Sequence, residues 1–248
     1  MKIALINDTH FGARNDSLVF SNFFQKFYEN VFFPTLKERN IKSVIHLGDV
    51  VERRKFINFK TLNSMKDILF DPLEEIGGDI KIIVGNHDIY YKNTLRINAP
   101  NELLGDYDID VIDEPTTRNY DGTDILFLPW ICDENRDDTF RSITKSTAPV
   151  CMGHLELNGF EAHPGHVMDA GMEVSPFNKF KRPDPIALSK KNQEKKIIKV
   201  SRGFQGSVTL PDIKRELELN DVKLQFGEGS RGGRGAGNRG NQFEVDLG

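Results

Sequence analysis

Four short apolar runs in this chain each stop at a small cluster of residues able to bind a cation, and this repetition constrains the fold more than any other feature. Ile3-Ala4-Leu5-Ile6 runs into Asn7-Asp8-Thr9-His10, and Ser43-Val44-Ile45-His46-Leu47 runs into Gly48-Asp49. Lys81-Ile82-Ile83-Val84 meets Gly85-Asn86-His87-Asp88, and Pro149-Val150-Cys151-Met152 meets Gly153-His154. Runs this short have the length of buried strands, not of core helices. Between them lie stretches of helical spacing. Val19, Phe20, Phe23, Phe24, Phe27 and Val31 recur at three and four within about 17–40, and a second helix covers about 58–76. Pro34 is expected to kink or split the first of these. Strands at 109–112 and 124–129 and a helix at about 135–145 follow. Strand–helix alternation implies parallel crossovers in a layered α/β domain, with each cluster at a strand's carboxyl end, where open α/β sheets hold ligands.

Taken singly the clusters say little, since Asp-Thr-His and Gly-Asp are ordinary turns. Gly-Asn-His-Asp after a strand is rarer, and all four on strand tips together point to one pocket. Two divalent ions about 3.5–4 Å apart can clamp the attacking and leaving oxygens of a phosphodiester. Asp49 is the natural bridge between them, with Asp8 and His10 on one ion and Asn86 and His154 on the other. Such mixed carboxylate, amide and imidazole ligands suit Mn2+, with Fe2+ or Zn2+ as alternatives and Mg2+ less suited. His87, beside ligand Asn86, is expected to hang over the site as a catalytic group that stabilises the transition state or protonates the leaving oxygen. Asp88 is expected to hold the His87 tautomer from behind. The glycines preceding the ligands permit turns where a side chain would collide. His46, inside a strand, reads as a satisfied buried histidine.

Composition limits the partners. A net charge of −4 over 248 residues gives no overall positive field, although a cleft can be locally basic. Cys132 and Cys151 are too few for a disulfide framework, no apolar run reaches membrane-spanning length, and no signal core precedes the first strand; a soluble cytoplasmic protein is expected. The character changes near residue 180. The stretch 181–199 is rich in Lys and Arg without periodicity, and a strand at 206–210 and a helix at 211–219 are candidate elements. Residues 227–241 hold seven Gly and three Arg and are expected to be disordered.

The clusters, in this order, resemble the calcineurin-like metallophosphoesterase superfamily. The opening Lys2 to Gly12, the stretch His46-Leu47-Gly48-Asp49-Val50-Val51-Glu52-Arg53-Arg54 and Gly153-His154-Leu155-Glu156 narrow the resemblance to SbcD-type DNA repair nuclease subunits. Among these, the recombination endonuclease subunits of T-even-like phages are the most similar, from residue 1 to about 180. The resemblance implies a four-layer β-sandwich flanked by helices. It also implies Mn2+-dependent exo- and endonuclease activity on DNA within a recombination and repair complex, and partnership with an SMC-like coiled-coil ATPase subunit in the cytoplasm, the host's if the chain is of phage origin. It makes Asp8, His10, Asp49, Asn86 and His154 metal ligands and His87 the transition-state histidine. Arg53 and Arg54 are expected to meet nucleic acid. Family members commonly pair through N-terminal helices, and the Phe-rich segment 19–33 is the candidate for a homodimer surface or, equally, a cover for the sheet.

One departure matters. The family's final Gly-His-x-His, which completes both metal sites, is absent after His154. His163 and His166 lie in a loop-like stretch with the wrong spacing, and are expected at the surface or the substrate side. The reading is thus a nuclease domain over 1–180 that lacks its last motif, incomplete at its C-terminal side, followed by a divergent tail over 181–248. A second polypeptide could complete the site. Two other functions fit the same residues: a metallophosphatase acting on a non-DNA ester, and a catalytically impaired binding or regulatory remnant.

Overall fold

In the computed structural model, which describes residues 2–159, 161–163, 166–167, 171–180 and 198–199, the apolar runs are strands. β1 (Ile3–Ile6), β2 (Ser43–His46), β3 (Asp79–Ile83) and β4 (Ile109–Ile112) pair in parallel in that order. A second sheet holds β5 (Thr116–Tyr120), β6 (Thr123–Leu128) and β7 (Val150–Gly153). There β5 and β6 form an antiparallel hairpin, and β7 returns parallel to β6 after α5 (Arg136–Lys145). A small hairpin pairs β8 (Glu161–His163) with β9 (His166–Val167), so the stretch read as loop-like carries strand pairing, with His163 opposite His166.

The sequence reading placed no strand between 181 and 199. The two-residue strand β10 (Ile198–Lys199) nevertheless pairs in parallel with β1, at the sheet's edge. Two residues carry too little alternation to register as a strand without a neighbour. The candidate elements at 206–210 and 211–219 and the Gly/Arg segment lie outside the described residues.

Alternation along the strands divides the core. Ala4, Ile6, Val44, Ile80 and Ile82 face the helices, packing with Tyr28, Phe32, Leu36, Met65, Leu69 and Leu73. Ile3, Leu5, Ile45, Ile83 and Ile112 face the opposite way and meet Tyr120, Ile125 and Phe127 of the second sheet. Leu126 and Leu128, on that sheet's outer face, meet Ile143 of α5. Helices, sheet, sheet and helix give the four layers the resemblance implied.

The covering helices adapt to proline. α1 (Leu18–Phe27) continues into α2 (Phe33–Glu38) through a π turn at Tyr28–Phe32, and α3 (Phe59–Met65) continues into α4 (Asp71–Glu75) through one at Lys66–Phe70. Pro34 and Pro72 follow these turns. Proline has no N–H, and its ring collides with the carbonyl four residues back. The wide turns, closed by Phe33 N–H on Tyr28 O and Asp71 N–H on Lys66 O, carry each helix past that point. The disruption expected at Pro34 takes this form. In the Phe-rich segment Tyr28 and Phe32 are buried against the sheet, whereas Leu18, Val19, Phe23 and Val31 are exposed.

Candidate metal and catalytic centre

The polar clusters leave their strand tips through conformations that side chains resist. Asp8, His10 and Asp49 all have left-handed backbones, with φ of 52°, 41° and 58°. Each such residue costs about 1–3 kcal/mol and persists only where its surroundings enforce it. Here the enforcement is a set of backbone hydrogen bonds between the first two tips: Asp8 N–H to Gly48 O (3.0 Å), His10 N–H to Asp49 O (3.1 Å) and Phe11 N–H to Val50 O (2.9 Å).

Asp88 clamps the second tip to the third. Its buried carboxylate accepts the backbone N–H groups of Asp49 (2.8 Å), Gly85 (2.9 Å), Val50 (2.8 Å) and Val51 (3.2 Å). Burial, helped by the charge of Asp49, pushes its pKa up to about 6, so at neutral pH the carboxylate is ionised and able to accept all of them. The contact expected between Asp88 and His87 is not formed, because those amides occupy both carboxylate oxygens. His87 Nδ1 instead lies 2.7 Å from the main-chain carbonyl of Glu52 and donates to it. The His87 tautomer is therefore held from the Asp49 turn, with no hydrogen-bond partner for Nε2 among the described residues.

The two glycines confirm the crowding read from sequence. A Cβ on Gly85 would fall 2.3 Å from Asp49 Oδ1, and one on Gly48, already at φ 105°, would fall 2.6 Å from His154 Nδ1.

Within this frame the expected ligands converge. His154 Nδ1 donates to Leu47 O (2.9 Å), which turns Nε2 toward Asn86 Oδ1 (2.9 Å) and Asp49 Oδ2 (3.3 Å). His10 Nε2 lies 3.5 Å from Asp8 Oδ1 and 3.6 Å from that same Asp49 oxygen. Adjacent donors around an ion bound at about 2.1 Å stand about 3 Å apart, so these spacings suit a divalent cation on either side of Asp49. Donor atoms of Asp8, Asp49 and His154 all lie within 4.8 Å of one another.

Glu52 escaped the sequence reading. Its carboxylate is 2.8 Å from His10 Nδ1, on the ring edge opposite the ligand nitrogen, while its carbonyl holds His87. The approach is out of line for a hydrogen bond, so the outer carboxylate acts on the imidazole through its charge. The only signal in the sequence was an acid three residues beyond Asp49. The His10 and His87 rings meet edge to face at 4.9 Å.

His46 is the structural residue it was read to be. Gly48 N–H donates to its Nδ1 (3.2 Å), so Nε2–H points to Thr9 Oγ1 (2.9 Å), which donates onward to Val50 O (3.1 Å). Burial pushes its pKa down to about 3 and keeps it neutral. Arg53 is spoken for: its guanidinium contacts Asp16 (2.8 Å) and Asn15 (3.1 Å) and covers the Phe56 ring. Arg54 is half-buried, with Nη1 shielded from water and lacking a hydrogen-bond partner among the described residues.

The electrostatics favour cations. Burial pulls His154 toward its neutral form, yet the hydrogen bond and charge of Asp49, with the charge of Asp8, outweigh it and raise the pKa to about 9. The same acids raise His10 against its burial. A divalent ion at His154 must therefore displace a proton at any pH below about 9. Affinity at the His154 side should rise about tenfold per pH unit between 6 and 8, with about one proton released as an ion fills that side, which titration calorimetry in buffers of differing ionisation enthalpy would measure.

A parallel α/β sandwich carrying Asp, His, Asp, Asn and His on successive strand tips defines a metal-dependent phosphoester hydrolase. The chain belongs to the calcineurin-like phosphoesterase family, whose profile matches residues 1–205. Exonuclease subunit 1 of Enterobacteria phage T4 is 36% identical over 167 residues, which cover 66% of this chain and 48% of that protein. The chain thus spans about half the length of the curated relative it matches. A solved protein of unknown function from Aquifex aeolicus aligns over 73% of this chain and 94% of its own, at 16% identity and a TM-score of 0.37. No helix among the described residues is long and apolar enough to cross a membrane.

Proposed function

We propose that this chain cuts DNA phosphodiester bonds as the nuclease subunit of a recombination and repair assembly, with an SMC-like coiled-coil ATPase as its partner. The observation that carries the reading is the convergence of Asp8, His10, Asn86 and His154 about Asp49 in a chain related to a phage exonuclease subunit. The donor set suits a pair of Mn2+ ions. When bound, such ions supply Lewis-acid polarisation of the phosphate and make water acidic enough to attack at neutral pH.

The chain's own residues do the rest. Asp49 Oδ2 faces both histidine ligands, while its Oδ1 accepts His87 N–H at 2.8 Å, so one carboxylate fixes the ligands and the base of the catalytic loop together. His87 Nδ1–H rests on Glu52 O, and when the ring carries a second proton, on Nε2, that N–H would bond a phosphoryl oxygen or pass its proton to the leaving oxygen. Asp88 acts through the turns and touches no substrate.

Purified chain incubated with Mn2+ and linear duplex DNA should release nucleotides, and His87→Ala should slow release by about a hundredfold or more with metal affinity unchanged. A variant as fast as the parent would remove His87 from the mechanism. Hydrolysis of phosphopeptides or cyclic nucleotides but not DNA would transfer the site to another ester. The absent Gly-His-x-His favours a second reading, in which the chain binds and regulates without cutting until another polypeptide completes the site. Exposed Leu18, Val19 and Phe23 offer a surface for a homodimer.

A further inference from the structure

Within an overall charge of −4, two stretches that follow the turns of the centre carry cations and no acid. Residues 53–60, which follow the Asp49 turn, contain Arg53, Arg54, Lys55 and Lys60 and no acid; residues 89–101, which follow the His87 turn, contain Lys92 and Arg96 and no acid. Lys55, Lys60 and Lys92 are exposed, whereas Arg96, also exposed, lies in a cleft with Asp113, Glu114, Glu134 and Asp138. The two loops meet where Lys55 Nζ lies 5.5 Å from the centre of the Tyr90 ring. They are also continuous with the catalytic loop, since Glu52, one residue before the first of them, holds His87.

Large aromatic rings stand among these cations in water. Phe59 is 88% exposed, Phe56 67% and Tyr91 52%, and Tyr91 is braced edge-on by Tyr90 at 4.7 Å. Phe56 lies under the Arg53 guanidinium at 5.1 Å, which presents a flat cationic and aromatic pair. Phe56 before the Phe59–Met65 helix and Phe59 at its start leave apolar surface in water unless something covers them. Aromatic faces interleaved with cations are the chemistry that recognises single-stranded nucleic acid: bases stack on rings while the backbone follows the positive charge. A duplex buries its base faces and cannot use these rings.

We infer that the rim formed by Phe56, Phe59 and Tyr91 with Lys55, Lys60 and Lys92 is a stacking platform for single-stranded nucleic acid, which draws a frayed or unpaired end toward the metal-binding turns. The inference rests on the nuclease reading and adds to it the strandedness of the substrate. It also supplies the field that the net charge does not advertise. Arg54, whose shielded Nη1 has no protein acceptor among the described residues, adds a further cation to the same loop.

The test is fluorescence anisotropy of labelled oligo(dT) and of a blunt duplex of equal length, with the full chain in EDTA so that nothing is cleaved. Phe59→Ala and Phe56→Ala should each weaken oligo(dT) binding by about tenfold and duplex binding by less than about twofold, whereas Phe59→Trp should restore it. Equal losses on both ligands, or no loss on either, would overturn the platform. So would a change in the chain's mass in solution on substitution, because the rings would then be covered by a second copy. Wild-type chain that binds neither ligand would overturn the nuclease reading itself; wild-type binding indifferent to the rings would overturn the platform alone.

Discussion

Replacing Asp88 with alanine should lower the melting temperature by about 10 °C or more, measured by circular dichroism in the absence of added metal. The substitution strands the N–H groups of Asp49, Val50, Val51 and Gly85, all of which now end on one carboxylate. A buried donor left without a partner costs about 1–3 kcal/mol, and neighbouring losses do not add fully, so a total of about 4 kcal/mol or more is expected. At about 2–4 °C per kcal/mol for a chain of this size, that gives the shift stated. Asp88→Asn should fall between the two, since its amide keeps one acceptor and turns an N–H pair toward donors. A melting curve unchanged in the alanine variant would show that water satisfies those amides and that Asp88 is no clamp.

Gly85→Ala should weaken divalent-metal binding by about a hundredfold or more, read by calorimetry. One methyl group cannot occupy a point 2.3 Å from Asp49 Oδ1 and 2.4 Å from Asp49 N. Both obstacles belong to a residue already fixed by Asp88 and His87, so the Asp49 turn itself must shift. Displacing the carboxylate that faces both histidines disturbs every ligand pair at once, and misplacement by about 1 Å is enough to cost two orders of magnitude in function. Gly153→Ala is the useful comparison. Its Cβ meets Leu128 O at 3.0 Å, and no ligand atom is among its nearest contacts, so its metal affinity should change far less. Equal losses in both variants would mean that general packing, not the Asp49 turn, sets the affinity.

How much of this was readable beforehand depends on where the signal resides. The apolar runs and their polar tips are local, so β1, β2, β3 and β7 and the convergence of Asp8, His10, Asp49, Asn86 and His154 could be read directly. The π turns followed from Pro34 only as a disruption of unknown form. β5 was missed because Thr116-Thr117-Arg118-Asn119-Tyr120 shows mostly polar, exposed side chains. Yet Asp121-Gly122, with φ of 51° and 82°, is the dipeptide that marks a tight hairpin turn, and it stood in plain view. The partners of Asp88 and Glu52 were beyond reach for another reason. They are settled by how β2 and β3 register side by side, which brings residues about 38 positions apart into contact. No periodicity within either segment encodes that distance.

The left-handed backbones of Asp8, His10 and Asp49 bear on how such a chain would respond to selection in the laboratory. Each position would accept glycine with relief, since the penalty there belongs to the β-carbon and not to the fold. A screen that rewarded heat resistance alone would drift toward that replacement and strip the pocket of its grip, leaving a sturdier protein with nothing to do. Any improvement programme must therefore score cation retention alongside thermal endurance.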